Sequence, residues 1–456
     1  MKSIRIGAGQ GFWGNGSYGA ANMVKTGNIN YLCCDALAEL TLAILKKGMQ
    51  KNAYAGWVNE LTGLLYACLP TCKEKGIKIV CNHGGLNPLG AMEEAKRVAQ
   101  SLGITGIKIA VVTGDNMADR LDDLASRGVD LSDMDTGLCY ADIKDRLMFA
   151  NAYIGAAPIV EALQNGADIV ITGRAADSAL FLAPMIYEFG WKWDDWDKLA
   201  SGTLAGHLLE CSAQSTGGNF LGNWQSVPHM EQIGYPIAEV SEDGSLVITK
   251  PEGSGGRVDV ETVSEQMVYE TLDPNQYIAP DVIADFTTPI LTDLGNDRVS
   301  ITGMRGKPRP EKLKVFMGYQ NGWAASTVAA YSWPDALQKA RKREEILRWQ
   351  VEALGLDIDD FYCEYLGLNS IFGAGVALPE EDTLNEVVSK ITIRTKDRKA
   401  AEKFCRIPVA WGLDGPPACG GAAGFNSKPR ELLGPVSALV DRNEIEPYLS
   451  VEYLDL

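Results

Sequence analysis

The sequence predicts an α/β protein, with a mainly parallel, βα-layered domain over residues 1–215 and a second, α+β domain over residues 216–456. Three observations carry this. Through the first half, short apolar runs (SIRIGAG, IKIVCN, IKIAVVTGD, ADIVITG) alternate with amphipathic helical stretches, the pattern of βαβ units on a parallel sheet. After residue 216 the alternation gives way to a hairpin and to strand-like runs separated by Gly, Asn and Pro, which implies antiparallel pairing. The length, 456 residues, exceeds what a single growing core serves.

In chain order, residues 3–9 predict a buried strand running into a glycine turn. DALAELTLAILKK predicts a helix from Asp35 to Lys47, capped by Asp35 and ended by Gly48, with Cys33 and Cys34 half buried at its start. A helix from Trp57 to Lys75, a strand at 77–82, a helix from Ala91 to Leu102 and a strand at 107–115 follow. Asn151–Asn165 reads as a helix, 167–173 as a strand, Ala175–Phe189 as a helix and 190–214 as a further helical stretch. Loops after parallel strands share one rim, so NHGGLNP (82–88), TGD (113–115) and TGRAAD (172–177) are expected to meet. Beyond residue 216, AEVSEDGSLVIT (238–249) predicts a hairpin with an Asp-Gly turn, and VSITGM, LKVFMGY and AASTVAAYS predict separate strands. Pro334–Leu354 is a long amphipathic helix, 387–405 a strand and a helix, and the Gly/Pro-rich stretch 412–425 a loop.

A formal net charge of −17 argues against nucleic acid, which needs a basic surface that displaces counterions. Any anionic substrate must meet a local positive potential made by Arg, Lys or backbone amides. The N-terminus lacks the pattern of a signal peptide and no apolar run is long enough to span a bilayer, so no membrane role and a cytoplasmic location are expected. Ten cysteines without a CxxC pair are expected to be free thiols.

Six motifs bear on chemistry. GAGQGFWGNG places Gly9, Gly11 and Gly14 in a GxGxxG after a strand, but no helix opens directly from it. It reads as a turn lining a small-molecule cleft in preference to a dinucleotide site, with a purely structural turn also open. Asn82, Gly84, Gly85 and Asn87 offer donors for a carbonyl or carboxylate, or simply order a turn. Asp115 serves as a helix cap or an acid. Arg174 suits bidentate binding of a carboxylate or phosphate, the alternative being a structural ion pair with Asp177. His207 and Glu210 share a helix face with Cys211 and Gln214, a spacing that suits proton transfer, a metal or a hydrogen-bonded structural helix. Asn219 follows in the same motif, and KPEGSGG adds Lys250 and Glu252 on a loop like an anion cradle that lacks the P-loop pattern.

GQGFWG, DALAELTLAIL, the GG-x-NP turn, ANAYIGAAPIVEAL, GADIVITGR, GHLLECSAQSTGGNF, GYPIAEV and KPEGSGG, in this order, resemble the acyclic terpene utilisation (AtuA-like) family from about residue 4 to about residue 330. The resemblance implies a place in the catabolism of branched or terpenoid acids, in part through CoA thioesters, without a settled set of catalytic residues. Longer members end in a small domain with an HSRSGDKG-type motif, which is missing here. That implies a separate small subunit as partner.

The expectation is therefore a lyase of the hydratase or dehydratase type, acting on a small hydroxy or unsaturated carboxylic acid or its CoA thioester. His207, Glu210, Asn82 and Asp115 are the candidate catalytic residues. Gly9, Gly11, Gly14, Gly84, Gly85, Asn87, Arg174, Asp177, Asn219, Lys250 and Glu252 are the candidate substrate contacts, all around one cleft closed by KPEGSGG. No cofactor is expected, CoA entering only as part of a substrate, with a divalent metal as the alternative. A homo-oligomer is expected. A non-catalytic scaffold or acyl-binding subunit and a metal-dependent hydrolase are the competing readings.

Overall fold

The apolar runs of the first half become the middle of a ten-stranded sheet. Ser3–Gln10, Tyr31–Cys34, Lys78–Cys81, Ile169–Thr172 and Lys108–Thr113 lie side by side in that order, each parallel to its neighbour. Their side chains are buried on both faces, as parallel strands covered by helices require. Ile237–Ser241 continues the sheet antiparallel beside Ser3–Gln10, followed by Leu246–Thr249, Val299–Thr302 and Ile290–Asp293. Ser450–Asp455 closes the opposite edge against Lys108–Thr113. The change of pattern near residue 216 is thus a change of strand direction within one sheet.

The computed structural model describes residues 2–377, 384–407, 415–421 and 428–456. Two compact units divide the chain, Met1–Gly318 with Val436–Leu456, and Tyr319–Pro435. Within the second, Glu386–Thr395 pairs antiparallel with Asp360–Leu366 on one side and with Trp323–Ser332 on the other. Leu347 and Val351 of the helix Ala336–Ala353 pack there on Ile391, Ile393 and Phe404.

Several sequence expectations shift. Cys33 and Cys34 are strand residues without solvent exposure, not half-buried residues at a helix start. The helix begins at Glu39 because Asp35 is buried and engaged elsewhere. Asn151 lies within the strand Leu147–Ala152, and the helix starts only at Ala157, where Pro158 fits the first turn. LKVFMGY and AASTVAAYS join in one strand, Lys312–Ser332, of which Trp323–Ser332 forms a ten-residue ladder with Glu386–Thr395. Of the expected loop, Cys419–Gly421 is a short strand, and residues 412–414 and 422–425 lie outside the described residues.

The helices Glu60–Lys75 and Pro88–Ser101 cover one face of the large sheet. On the other face, Trp196–Glu210 is buried at every position from Leu199 to Glu210. A helix apolar all round belongs inside a core, and this one carries His207 and Glu210 in with it. Gly206 makes the packing close: a Cβ there would stand 2.7 Å from the Cα and the carbonyl oxygen of Ser178. Gly206→Ala should therefore force the helix away from Ser178 and cost about 1–3 kcal/mol in urea denaturation, as overpacked sites do. Unchanged stability would contradict this close approach.

Candidate functional site

The carboxyl ends of the parallel strands collect polar side chains that the core cannot hold singly. After Tyr31–Cys34, Asp35 accepts from the Leu37 amide at 3.2 Å and from the Asn82 side-chain amide, while Asn82 Oδ1 accepts from the Ala36 amide at 2.8 Å. The Gly84 amide donates to the Thr172 carbonyl at 2.9 Å, joining the second turn to the fourth strand. Asp115 receives the Asn151 side-chain amide and the Arg174 backbone amide, each at 2.8 Å. The three strand-end turns thus meet through named hydrogen bonds.

Arg174 lies at the centre, with 3% side-chain exposure. Its guanidinium donates to Asp177 at 2.7 Å and to the Leu37 carbonyl, and lies 4.1 Å from the centre of the Tyr153 ring. Tyr153 donates to Glu39, and Lys314 sits 3.3 Å from Glu39 and 4.5 Å from the same ring. Burial works against the charge on Arg174, but Asp177, Tyr153, Asp35 and Glu39 outweigh it and the guanidinium stays charged. Burial also opposes ionisation of Glu39, yet Arg174 and the Tyr153 hydroxyl draw its carboxyl down to about 2. Asp35 moves the other way, raised by burial and then by the charge of Asp177.

On the helix Trp196–Glu210, His207 Nδ1 is 3.0 Å from Glu210 Oε1. Neither His207 Nε2 nor Glu210 Oε2 has a hydrogen-bond partner among the described residues. Burial pushes Glu210 up to about 6, against the pull of His207, and the charge of Asp177 adds to the rise. For His207, burial favours the neutral ring, but the hydrogen bond and charge of Glu210 prevail and raise its basicity. A hydrogen bond at this distance needs one proton between the two groups. Gly11 fixes the end of this helix, since a Cβ on it would run into the Glu210 carbonyl and the Ser212 amide.

A cavity of about 410 Å³ opens beside this cluster. Asp177, Ser178, Tyr153, Tyr277, Lys312 and Lys314 supply its polar lining, and Met134, Ile278, Leu313 and Leu439 contribute apolar wall. The Tyr277 ring stacks on Phe286 at 4.5 Å and lies 5.1 Å from the His207 ring, so it separates the histidine from the cavity.

The sequence-based candidates do not form one cleft. Asp177 alone among them lines this cavity. Gly11 and Asn219 line a depression of about 510 Å³ with Asn15, Cys211 and Gln214. Lys250 and Glu252 line another of about 680 Å³ with Arg5 and Arg298, so KPEGSGG closes nothing over Asp177. Lys250 is paired with Asp297 at 3.0 Å and donates to the Ser254 carbonyl at 2.8 Å. Arg174 is enclosed by protein partners and is not positioned to grip a substrate anion. Asn82, Gly84 and Gly85, expected to polarise a substrate carbonyl, donate instead to Asp35, the Thr172 carbonyl and the Asn82 carbonyl. Asn87 caps the helix Pro88–Ser101 by accepting from the Gly90 amide at 3.0 Å. Gly9 packs against Leu32 and Cys34, and Gly14 shapes its turn with a φ of 98°. Asp115 holds the turn ahead of Arg174.

Sequence reasoning missed Ser178, Tyr153, Tyr277 and the lysines Lys312 and Lys314, and it read Asp35 only as a helix cap. Ser178 adjoins the flagged Asp177, but nothing marks Tyr277, which enters on the two-residue strand Tyr277–Ile278 from far along the chain. Burial raises the Cys211 thiol, so it stays protonated. Among the described residues, no group of three or more His, Cys, Asp or Glu side chains is placed to hold a metal ion, and no helix is long and apolar enough to cross a membrane.

Fold and site together define an α/β protein whose ionisable side chains gather at the carboxyl ends of parallel strands, where such sheets place their ligands. The model of the acyclic terpene utilisation family protein AtuA matches residues 4–451, and the chain belongs to that family. The match extends past residue 330, where the sequence resemblance was traced, and takes in the second unit. No curated protein and no solved structure matches the chain.

Burial raises the Asp115 carboxyl from its ordinary value of 3.8 to about 6. A carboxyl raised on folding stabilises the folded state in acid, and that contribution disappears as pH climbs through the folded value. Between about pH 4 and 6 it amounts to about 3 kcal/mol at 1.36 kcal/mol per pH unit. Asp115→Asn should flatten this part of the stability curve in denaturant titrations at several pH values. An unchanged slope would show that Asp115 does not titrate there.

Proposed function

We propose that this chain is a catabolic hydro-lyase that adds or removes water on a hydroxy or unsaturated carboxylic acid, or on its CoA thioester. The observation that carries the reading is Asp177, a carboxylate lining a largely apolar cavity and backed by the buried Arg174, Asp35 and the His207–Glu210 pair. An apolar cavity with a few convergent polar groups suits the hydrocarbon part of such an acid. Membership of a family concerned with acyclic terpenes supports a branched aliphatic substrate.

The roles follow from position. Lys312 and Lys314 give the cavity the cations that a chain of net charge −17 must concentrate locally to hold an anion. In dehydration the C–H bond next to the carbonyl breaks and its proton passes to Asp177. The C–O bond then breaks, the departing oxygen takes that proton, and water leaves; hydration runs the same path backwards. Behind Asp177, the His207–Glu210 pair holds a shared proton and sets the charge next to the reacting carboxylate.

Positioned acid/base groups contribute about 100- to 10,000-fold to rate. Asp177→Asn should accordingly lower kcat by at least about 100-fold, and Glu210→Gln and His207→Ala by smaller but measurable factors. The assay follows loss of the conjugated double bond in a panel of unsaturated acids and their CoA thioesters, with melting curves to confirm folding. Full turnover in all three variants would exclude these roles.

A further inference from the structure

We propose that Tyr277 Oη and Ser178 Oγ together receive the carbonyl oxygen of a ligand in the Asp177 cavity. The proposal rests on the reading of that cavity as the substrate site, and it assigns the group of the substrate that is recognised there.

Apart from Lys312, the polar side chains lining the cavity fall into two sets. Asp177 is held by Arg174 at 2.7 Å, the Tyr153 hydroxyl donates to Glu39, and Lys314 pairs with Glu39 at 3.3 Å. Tyr277 and Ser178 line the same space, and neither hydroxyl has a hydrogen-bond partner among the described residues. Ser178 is only 4% exposed. Half-buried Tyr277 and buried Ser178 therefore keep their hydroxyls available to whatever occupies the cavity.

Both side chains are held where they are by their surroundings. The Tyr277 ring is fixed by its stack on Phe286 and its tilt against His207. Ser178 is fixed by the close approach of Gly206. Burial, with the charges of Glu210 and Asp177, pushes the Tyr277 hydroxyl upward, so it remains a donor throughout the working pH range.

Two neutral O–H donors beside a carboxylate suit a carbonyl whose oxygen gains negative charge as the neighbouring carbon loses a proton. The Asn82 and Gly84–Gly85 amides cannot take this part, because they already donate within the protein. A free carboxylate and a thioester both present the required oxygen.

Isothermal titration of the full chain with octanoate, with S-ethyl octanethioate and with toluene, which has no oxygen acceptor, tests the assignment. Tyr277→Phe keeps the ring and its stack, and Ser178→Ala removes one atom; melting curves confirm folding. Each substitution should weaken the carbonyl probes by about 10-fold and the double variant by more, with toluene unaffected. Tighter binding of octanoate would make the free acid the preferred form, and tighter binding of the thioester the acyl thioester. Three results would overturn the proposal: no binding of either carbonyl probe to the unmodified chain, unchanged affinity in the double variant, or an equal loss for toluene. Because binding needs no turnover, hydroxyl-dependent affinity without hydro-lyase activity would keep this site and discard the lyase reading.

Discussion

The site depends on the burial of one guanidinium. Removing Arg174 from water carries a large desolvation cost that only well-placed charge and hydrogen-bond partners can offset. Asp177, the Leu37 carbonyl and the face of Tyr153 meet it directly, while Asp35 and Glu39 contribute charge from slightly farther away. Such a pair is weak evidence for stability, since well-packed apolar side chains often do as well. Its effect is positional. The segment from Asp35 to Glu39 must run past the guanidinium without entering a helix early, and Asp177 must turn its carboxylate towards the strand ends.

The same constraint reaches the neighbouring helix. Trp196–Glu210 has no polar face along most of its length, so its two ionisable residues enter the core together and must satisfy each other. They lie within the field of Asp177, which helps to hold a proton on Glu210. Gln266 fastens the helix from outside by donating to the His207 carbonyl at 3.0 Å, and Gln214 donates to Gln266 at 2.7 Å. The polar residues of GHLLECSAQSTGGN thus divide between an acid/base pair facing inwards and amides that anchor the helix end.

Much of this was legible because it is local. Short continuous apolar runs marked four of the five parallel strands, Tyr31–Cys34 being missed, and spacings of three residues brought out Arg174 with Asp177 and His207 with Glu210, since close neighbours in the chain need no tertiary knowledge. The meeting of the three turns followed from the common direction of parallel strands. What remained hidden was set by long-range packing. Asp35 precedes a helical pattern and so looks like a cap, but its partner is Asn82, contributed by a different strand end. Tyr277 arrives from a later part of the chain onto His207, a contact that no sequence spacing encodes. The single cleft failed for a related reason: glycine-rich turns look alike in sequence, whereas Gly11 and Lys250 line depressions separate from the cavity of Asp177.

Arg174 also shows why a cation in a promising motif need not be an anion receptor. Surrounded by Asp177, Asp35 and Glu39, it offers a ligand little net positive potential, and its donors point into the protein. The cations that do line the cavity, Lys312 and Lys314, are two residues apart on one strand, a spacing that turns both side chains to the same face. One of them is partly balanced by Glu39. In a chain as acidic as this one, the field at the cavity is therefore set by the local order of charges: carboxylates around the buried arginine at its base, and lysines along one wall.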